Sequence, residues 1–600
     1  MADLIAKEGV FISDDLSSDL SSLLGNANLS GAQSLFLQQQ IKAANCKKKC
    51  GMRWHPALIR LGLKIHLKSP AAYRALQESG FDKLPTSRTL FDYSHASKIE
   101  YGVDSSVVKK FSKRVEEEKK EKKHPQFHVL IADEIHISKN LVIQKSTGEL
   151  IGFKDLDSVD KEIAQLDLFL EDDDKQYEPE IASKILSFMV KGCSSKLKDV
   201  VASFPVCSPS PKQLYAWTWE VIGALEKSGI KVIVFTCDGA STNRAFIKLH
   251  QPVTTDFPGL IFDTVNKYAP ERILYFMSDV PHLLKTTRNG LYNSRLKGKG
   301  ARCLQKNKEP MVWDTIINLY LMNKDRNIRK SFKLSPQNVF PDSFSKMKVA
   351  LAAQVLSRTV ANDIAGQGWP KTSEIVEFIR KTTDWFDLLN GAFSTQGQKK
   401  NNPRLNAYTL RDLQDFENNV EGNRFQELLD YLKYHNEWQE EVRKLKEIQS
   451  TSLMSELGVQ PLEAIDDGSF HALAESMVED CEKEDFSKHL LPKQTILGIN
   501  MSTQSFIKAV TFLLSNGAPF VNARTFCQDI LEQNFGKQRM AGGGSSNPNV
   551  AQYFQRQRGI SIVGQLGSSK KRGFNTEVLD EEADLNDKPL PKRQFKRDLM

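Results

Sequence analysis

Three apolar runs in this sequence each end in an acid. Phe127-His128-Val129-Leu130-Ile131-Ala132 leads into Asp133, Lys231-Val232-Ile233-Val234-Phe235-Thr236-Cys237 into Asp238, and Arg272-Ile273-Leu274-Tyr275-Phe276-Met277-Ser278 into Asp279. A carboxylate carried out of a buried strand is costly unless it is paired or holds a cation. Divalent ions such as Mg2+ and Mn2+ prefer hard oxygen donors, and phosphoryl transfer by two ions about 3.5–4 Å apart uses such acids to hold them. Asp133 and Asp238 are the strand-borne candidates. A third acid should come from a helix packed against the sheet. The best stretch is Cys527-Gln528-Asp529-Ile530-Leu531-Glu532-Gln533-Asn534-Phe535-Gly536. There Asp529 and Glu532 are three apart and fall on roughly one helix face. Plainer readings stay open at this level. Asp133 is equally a strand-end acid paired with a lysine, and Asp529 and Glu532 are equally surface helix residues.

The elements that must position these acids follow from the hydrophobic pattern. Runs at 127–134, 141–145 and 150–155, with a turn at Ser146-Thr147-Gly148, predict an antiparallel meander. A helix is expected over 180–191, a strand over 198–205 and a helix over 211–228. The strands that end in Asp238 and Asp279 follow, with Ser241-Thr242-Asn243-Arg244 opening a helix between them. Meander strands followed by strands interleaved with helices give the order of an RNase H-like mixed sheet, with helices on both faces and acids at the ends of neighbouring strands. Long helical periods at 313–322, 344–361, 372–390 and 423–447 interrupt that order and read as an insertion. Apolar helix resumes at 505–514 and 523–538. The fold class expected is α/β: an RNase H-like mixed sheet interrupted by a large helical insertion, preceded by a helical, helix-turn-helix-like domain.

The 600 residues exceed a single core. A net charge of +8 is compatible with a nucleic-acid partner. Eight cysteines without framework spacing point to a reducing compartment. The first residues do not form a signal peptide, and no run of about 18 apolar residues argues for a membrane span. Residues 53–95 show three short helices started by Pro56, Ser69-Pro70 and Thr86-Ser87, with Tyr73 and Leu76 expected inward. They read as a helix-turn-helix or as a plain helical subdomain. The charge run 109–124 reads as a solvated linker helix or, from Val108, Phe111 and Val115 at heptad spacing, as a short dimerising coil. Lys570-Lys571-Arg572 and Pro591-Lys592-Arg593-Gln594-Phe595-Lys596-Arg597 read as a nuclear import signal or a solvated tail.

At this point several stretches carry a family resemblance. Phe127 to Ile137, Lys145 to Phe153 and Thr236-Cys237-Asp238-Gly239-Ala240-Ser241-Thr242-Asn243-Arg244 resemble the RNase H core of P-element-like DNA transposases, the group that includes the THAP-domain-containing type. Ser278-Asp279-Val280-Pro281-His282-Leu283-Leu284-Lys285-Thr286-Thr287-Arg288-Asn289-Gly290 is similar to the family's Asp-Pro-Pro-His-Leu-Leu-Lys-x-x-Arg-Asn motif. Ser345-Lys346-Met347-Lys348-Val349 resembles the start of its inserted domain. Gln528 to Glu532, with Phe535, Gly536 and Arg539, resembles its C-terminal catalytic helix. The resemblance covers about residues 34–560.

It implies a DDE transposase that cuts and joins DNA, possessing Mg2+ (or Mn2+) ligands at Asp133, Asp238 and Glu532, with Asp279 and Asp529 as second choices. It also implies an insertion that binds GTP without a phosphate loop. The guanine-contacting pair would be Asp387 and Asn390, which by themselves are an ordinary helix C-terminal pair. The family commonly begins with a THAP zinc finger, and no such cysteine–histidine pattern is found here. Two explanations stay open, a truncated copy or end recognition through the helix-turn-helix region. The expected organisation is a disordered N-terminus at 1–33, a helix-turn-helix-like region at 34–105 and a linker helix at 106–125. The RNase H-like domain takes 126–300 and 491–562 around an insertion at 301–490, and a basic disordered tail takes 563–600. The expected function is metal-dependent DNA cleavage and strand transfer in the nucleus by a homodimer or higher oligomer. The alternative is a domesticated, non-catalytic DNA-binding derivative.

Overall fold

The computed structural model describes residues 30–46, 52–94, 100–122, 124–143, 148–155, 180–295, 301–324, 326–327, 329–391, 401–456, 486–542 and 547–564. The basic tail beyond residue 564, Ser146 and Thr147 of the expected turn, and most of the N-terminal segment considered above lie outside them. Its strands before residue 280 are β1 (Gly102–Val103), β2 (Phe127–His136), β3 (Val142–Ile143), β4 (Leu150–Ile151), β5 (Lys184–Gly192), β6 (Lys198–Val206), β7 (Lys231–Cys237), β8 (Asp263–Val265) and β9 (Ile273–Ser278). Seven of them form one mixed sheet in the order β1-β6-β5-β2-β7-β9-β8. β2, β5 and β6 are an antiparallel meander, while β7 and then β9 add parallel to β2.

Two expectations change here. The helix expected over 180–191 is strand β5. Flanked by β2 and β6 and covered on both faces, it needs apolar residues on both, so Ile185, Leu186, Phe188, Met189 and Val190 read as a continuous run that periodicity cannot tell from a buried helix. The meander is not built from the runs after 141 and 150 either. Those residues form the separate two-stranded β3–β4 pair, whose Ile143 and Leu150 are exposed.

The first helices are α1 (Gly31–Ala44), α2 (Pro56–Lys68), α3 (Pro70–Glu78), α4 (Ser87–Ser94) and α5 (Ser105–Lys122). α2, α3 and α4 enclose a small core of Ile59, Leu63, Tyr73 and Leu90. Tyr73 is buried and donates to the Pro85 carbonyl, but Leu76, expected inward, is exposed. Helix α5 is not a free linker. Val108, Phe111 and Val115 are buried in the core beneath the sheet, so their spacing records packing on β-structure and not a coil.

Helices α6 (Pro211–Lys227) and α7 (Ser241–Ile247) share that face with α5. The core on the opposite face starts with α8 (Val280–Tyr292), and further helices follow along the chain. These are α9 (Asp314–Lys324), α10 (Pro336–Val339), α11 (Ser343–Lys346), α12 (Val349–Val355), α13 (Arg358–Gln367), α14 (Ser373–Leu389), α15 (Leu410–Glu417), α16 (Arg424–Glu456), α17 (Lys493–Ser515), α18 (Asp529–Met540) and α19 (Val550–Gly564). The long helix expected over 344–361 is broken into α11, α12 and the start of α13. The last break is made by Ser357, whose hydroxyl caps α13. Trp313, Trp385 and Trp438 are wholly buried, and the insertion's core is continuous with this sheet face. Among the described residues no helix is long and apolar enough to cross a membrane.

The ends of β7 and β9 opposite the acids are pinned by Glu226. Its carboxylate accepts from Arg272 Nη2 at 2.6 Å, Asn266 Nδ2 at 3.0 Å and the Val232 amide at 2.9 Å. Both charged side chains are buried. Glu226→Ala would strand the Arg272 charge, so unfolding in urea should show a loss of about 3–5 kcal/mol. A loss under about 1 kcal/mol would mean that water reaches Arg272 and compensates for it.

Candidate active site

Strand alternation decides which way each acid faces. On β2, Phe127, Val129, Ile131 and Ile135 join the core on the α17 side, whereas Leu130 and Ala132 join the core on the α5 side. Asp133 shares the parity of the first set. The β2–β7 ladder pairs Ile131 with Thr236, and two more residues bring Asp133 level with Asp238. The β7–β9 ladder pairs Cys237 with Ser278, and one more residue brings Asp238 level with Asp279. Three acids thus stand in a row across three adjacent parallel strands, just past the ends of β7 and β9 and where β2 runs on beyond its pairing with β7, about 4.8 Å apart from strand to strand.

This alignment depends on an irregularity. His128 pairs with Val232 but Val129 pairs with Val234, so Ile233 is an extra residue on β7. Ile233 and Val234 accordingly both join the same core. Without the bulge Asp133 would stand beside Cys237, because a one-residue slip turns every side chain to the other face.

The three acids have different partners. Asp133 is half-buried and accepts from the Glu134 amide at 2.8 Å. Burial, followed by the charges of Asp238, Glu532 and Asp279, outweighs that bond and pushes its carboxyl up to about 8. Asp238 accepts through one oxygen from the Ala240 amide at 2.9 Å and Asn243 Nδ2 at 2.6 Å. Asp279 is buried and caps α8 through the His282 amide at 2.9 Å. Its second oxygen accepts from the Gln528 amide at 2.9 Å. Burial pushes this carboxyl up to about 7.

The fourth side of the cluster comes from α18. Helix α17 seats on the end of β9, where the Ser505 hydroxyl donates to the Phe262 and Phe276 carbonyls and Ser502 bridges the Ser278 amide and carbonyl. The chain then turns through a short 3-10 helix, Ala523–Phe526, into α18. Glu532 stands on the first turn of α18, where the partial loss of solvent around its carboxyl raises its pKa and Lys285 opposes that rise. Asp529 is ion-paired with Arg524, which accounts for its charge.

Two further side chains join the cluster from α8. His282 and Lys285, three and six residues after Asp279 on α8, face Asp238 and Glu532 electrostatically. The signal for them was their shared spacing on the first turns of a helix that a strand-end acid caps. Gln528 had no signal in the sequence beyond its neighbours.

The donor set fits a hard divalent cation in kind: carboxylates on neighbouring strands and on the facing helix, with one lysine nearby. Among the described residues no three His, Cys, Asp or Glu side chains are yet gathered closely enough to enclose an ion. The convergence is one of strand ends and charge, and the carboxyl groups are not closed around a point.

This electrostatic cost gives a stability prediction. An acid whose folded pKa is raised contributes full stability below its unfolded value of about 3.9 and loses it as pH rises through about 8. Asp133→Asn, which mimics the neutral form, should therefore melt higher than wild type at pH 8. The gain should be about 2–4 °C, as for roughly 1 kcal/mol in a domain of this size, and it should vanish near pH 4. An equal or lower melting temperature at pH 8 would mean that the site does not store this repulsion.

The predicted nucleotide pair lies elsewhere, at the end of α14. Asp387 Oδ2 accepts from Asn402 Nδ2 at 2.7 Å, and Asn390 is the C-cap. The following Gly391 carbonyl accepts from the Arg524 amide at 3.0 Å. This end of the insertion therefore abuts the 3-10 turn that leads into α18.

Comparison with known proteins places these features in a family. Residues 99–251 match the family model "TNP-like, RNase H N-terminal domain", and residues 281–402 match "TNP-like, GTP-binding insertion domain". A 127-residue stretch is 31% identical to the Transposable element P transposase of Drosophila melanogaster; the stretch is 20% of this chain but only 16% of that protein. The fold is similar to a chain of the Drosophila P element transposase strand transfer complex, with a TM-score of 0.59 and 19% identity over 91% of this chain and 98% of that one. The chain thus carries an RNase H-like mixed sheet and, in this order, stretches that match the RNase H and GTP-binding insertion domains of the TNP-like models, which supports a P-element-like transposase.

Proposed function

We propose that this chain is a DDE-type transposase, a nuclease and strand transferase acting on transposon ends and target DNA in the nucleus. The observation that supports it most is the row of acids across β2, β7 and β9, faced by the helix of Glu532. Asp133, Asp238 and Glu532 would hold Mg2+ or Mn2+, which when bound activates the attacking oxygen and stabilises the leaving one. Asp238 is pre-oriented by Asn243, Asp133 by its own neighbouring amide, and Glu532 is kept near a cation by Lys285. His282 and Lys285 line the side on which a phosphate would approach. GTP would bind at the end of α14 through Asp387 and Asn390. DNA recognition belongs to the α2–α4 unit, and the protein would act as a homodimer or higher oligomer.

A supercoiled-plasmid nicking assay in Mg2+ or Mn2+ tests this. Nicking that EDTA abolishes is expected. Its absence, with duplex DNA binding retained, would favour the domesticated, non-catalytic reading.

A further inference from the structure

Asp279 stands level with Asp133 and Asp238, yet its oxygens are already taken. One accepts from the His282 amide and the other from the Gln528 amide, and the side chain is 3% exposed. A carboxylate bound in this way by two backbone donors inside the protein is poorly placed to serve as a further ion ligand. Gln528 is equally committed. Its amide bonds Asp279, its side-chain Nε2 donates to the Ala132 carbonyl at 2.6 Å, and its own carbonyl accepts the Glu532 amide at 3.1 Å. The Asp279 amide in turn donates to the Cys237 carbonyl at 3.0 Å.

We propose that Asp279 and Gln528 form a buried positioning clamp that sets the spacing of Asp133, Asp238 and Glu532. The proposal rests on the reading of those three acids as the divalent-ion site. The clamp bonds the residue just before Asp133, the residue just before Asp238 and the backbone of Glu532 itself. It spans chain separations of 396 residues from Ala132 to Gln528 and 249 from Asp279 to Gln528. Capping α8 needs only one Asp279 oxygen, and starting α18 needs only the Gln528 carbonyl. Neither role requires the Gln528 side chain to reach across to β2. That bond fixes how far α18 stands from the strand that carries Asp133, and hence how far Glu532 stands from the other two acids.

Gln528→Met tests it. Methionine keeps the length of the side chain and both backbone bonds but removes the donor to Ala132. Second-layer groups that orient ligands typically change metal affinity or activity by about 10–100-fold. Titration of the full-length protein with Mn2+, followed by electron paramagnetic resonance of the free ion, should show affinity weakened by about that factor. Nicking should weaken in parallel and recover in part at high Mn2+, with duplex DNA affinity unchanged. Asp279→Asn, which keeps one acceptor and turns the other into a donor facing an amide, should give the same pattern and serves if Gln528→Met does not fold. Wild-type Mn2+ affinity in either folded variant overturns the clamp. A different result, wild-type protein whose Mn2+ binding is absent or indifferent to Asp238→Asn, overturns the ion-site reading itself, and the clamp's role with it.

Discussion

Asp238→Asn should lower divalent-ion-dependent nicking by more than about a hundredfold while leaving the fold and DNA binding intact. Groups that merely orient metal ligands cost about 10–100-fold when removed, and a ligand should cost more. The structure makes this substitution unusually clean. Both hydrogen bonds to Asp238, from the Ala240 amide and Asn243 Nδ2, end on the same oxygen. An asparagine carbonyl can accept both, so only the negative charge and the second oxygen are lost. Single-turnover nicking and circular dichroism on the same preparation are the measurements. Nicking at the wild-type rate would remove Asp238 from the catalytic set, and a contaminating nuclease would reveal itself in the same way.

Asp387→Ala should abolish discrimination for guanine nucleotides. A carboxylate near the C-terminus of a helix opposes the helix dipole at a cost of about 0.3–1 kcal/mol, so Asp387 at the end of α14 is a residue that the helix itself does not favour. A guanine edge offers two N–H donors to one carboxylate, and hydrogen bonds to a charged group are worth about 1.5–3 kcal/mol each. Asp387→Ala removes both bonds, and losing even one corresponds to roughly a tenfold to hundredfold loss of GTP affinity. Calorimetric titration with GTP and ATP is the check. Asp384, one turn earlier on α14, is paired with Arg358 and makes a suitable control for a general change in helix charge. GTP binding that survives Asp387→Ala but falls in Asp384→Ala would move the site one turn back along α14, to the Arg358 ion pair.

Much of the candidate site was legible in the sequence because its donors sit where local patterns are strongest. The runs before Asp133, Asp238 and Asp279 are short, apolar and rich in β-branched or aromatic residues, so the strand ends were visible as strand ends. β5 was not legible. Its two-sided burial erases the alternation that distinguishes a strand, so its apolar run reads equally as a buried helix. Helix α5 failed in the opposite sense. Its charges are real and solvent-facing, but the three apolar residues among them are enough to fix it to the sheet. The division of labour among the acids was also invisible. Asp279 and Asp529 are acids in settings similar to those of Asp133 and Glu532, and only their partners, two backbone amides for one and Arg524 for the other, set them apart.

The sequence by itself determined the donor chemistry: carboxylates at the ends of apolar strands, a helix with two acids on one face, and a helical insertion between them. Only the tertiary structure decided the register. The extra residue Ile233 aligns Asp133 with Asp238, the Gln528 side chain ties α18 to β2, and neither can be read from local pattern. The physical reason is that both depend on hydrogen bonds between residues more than a hundred positions apart. Such pairings follow from the packing of whole elements and not from the preferences of the residues that make them.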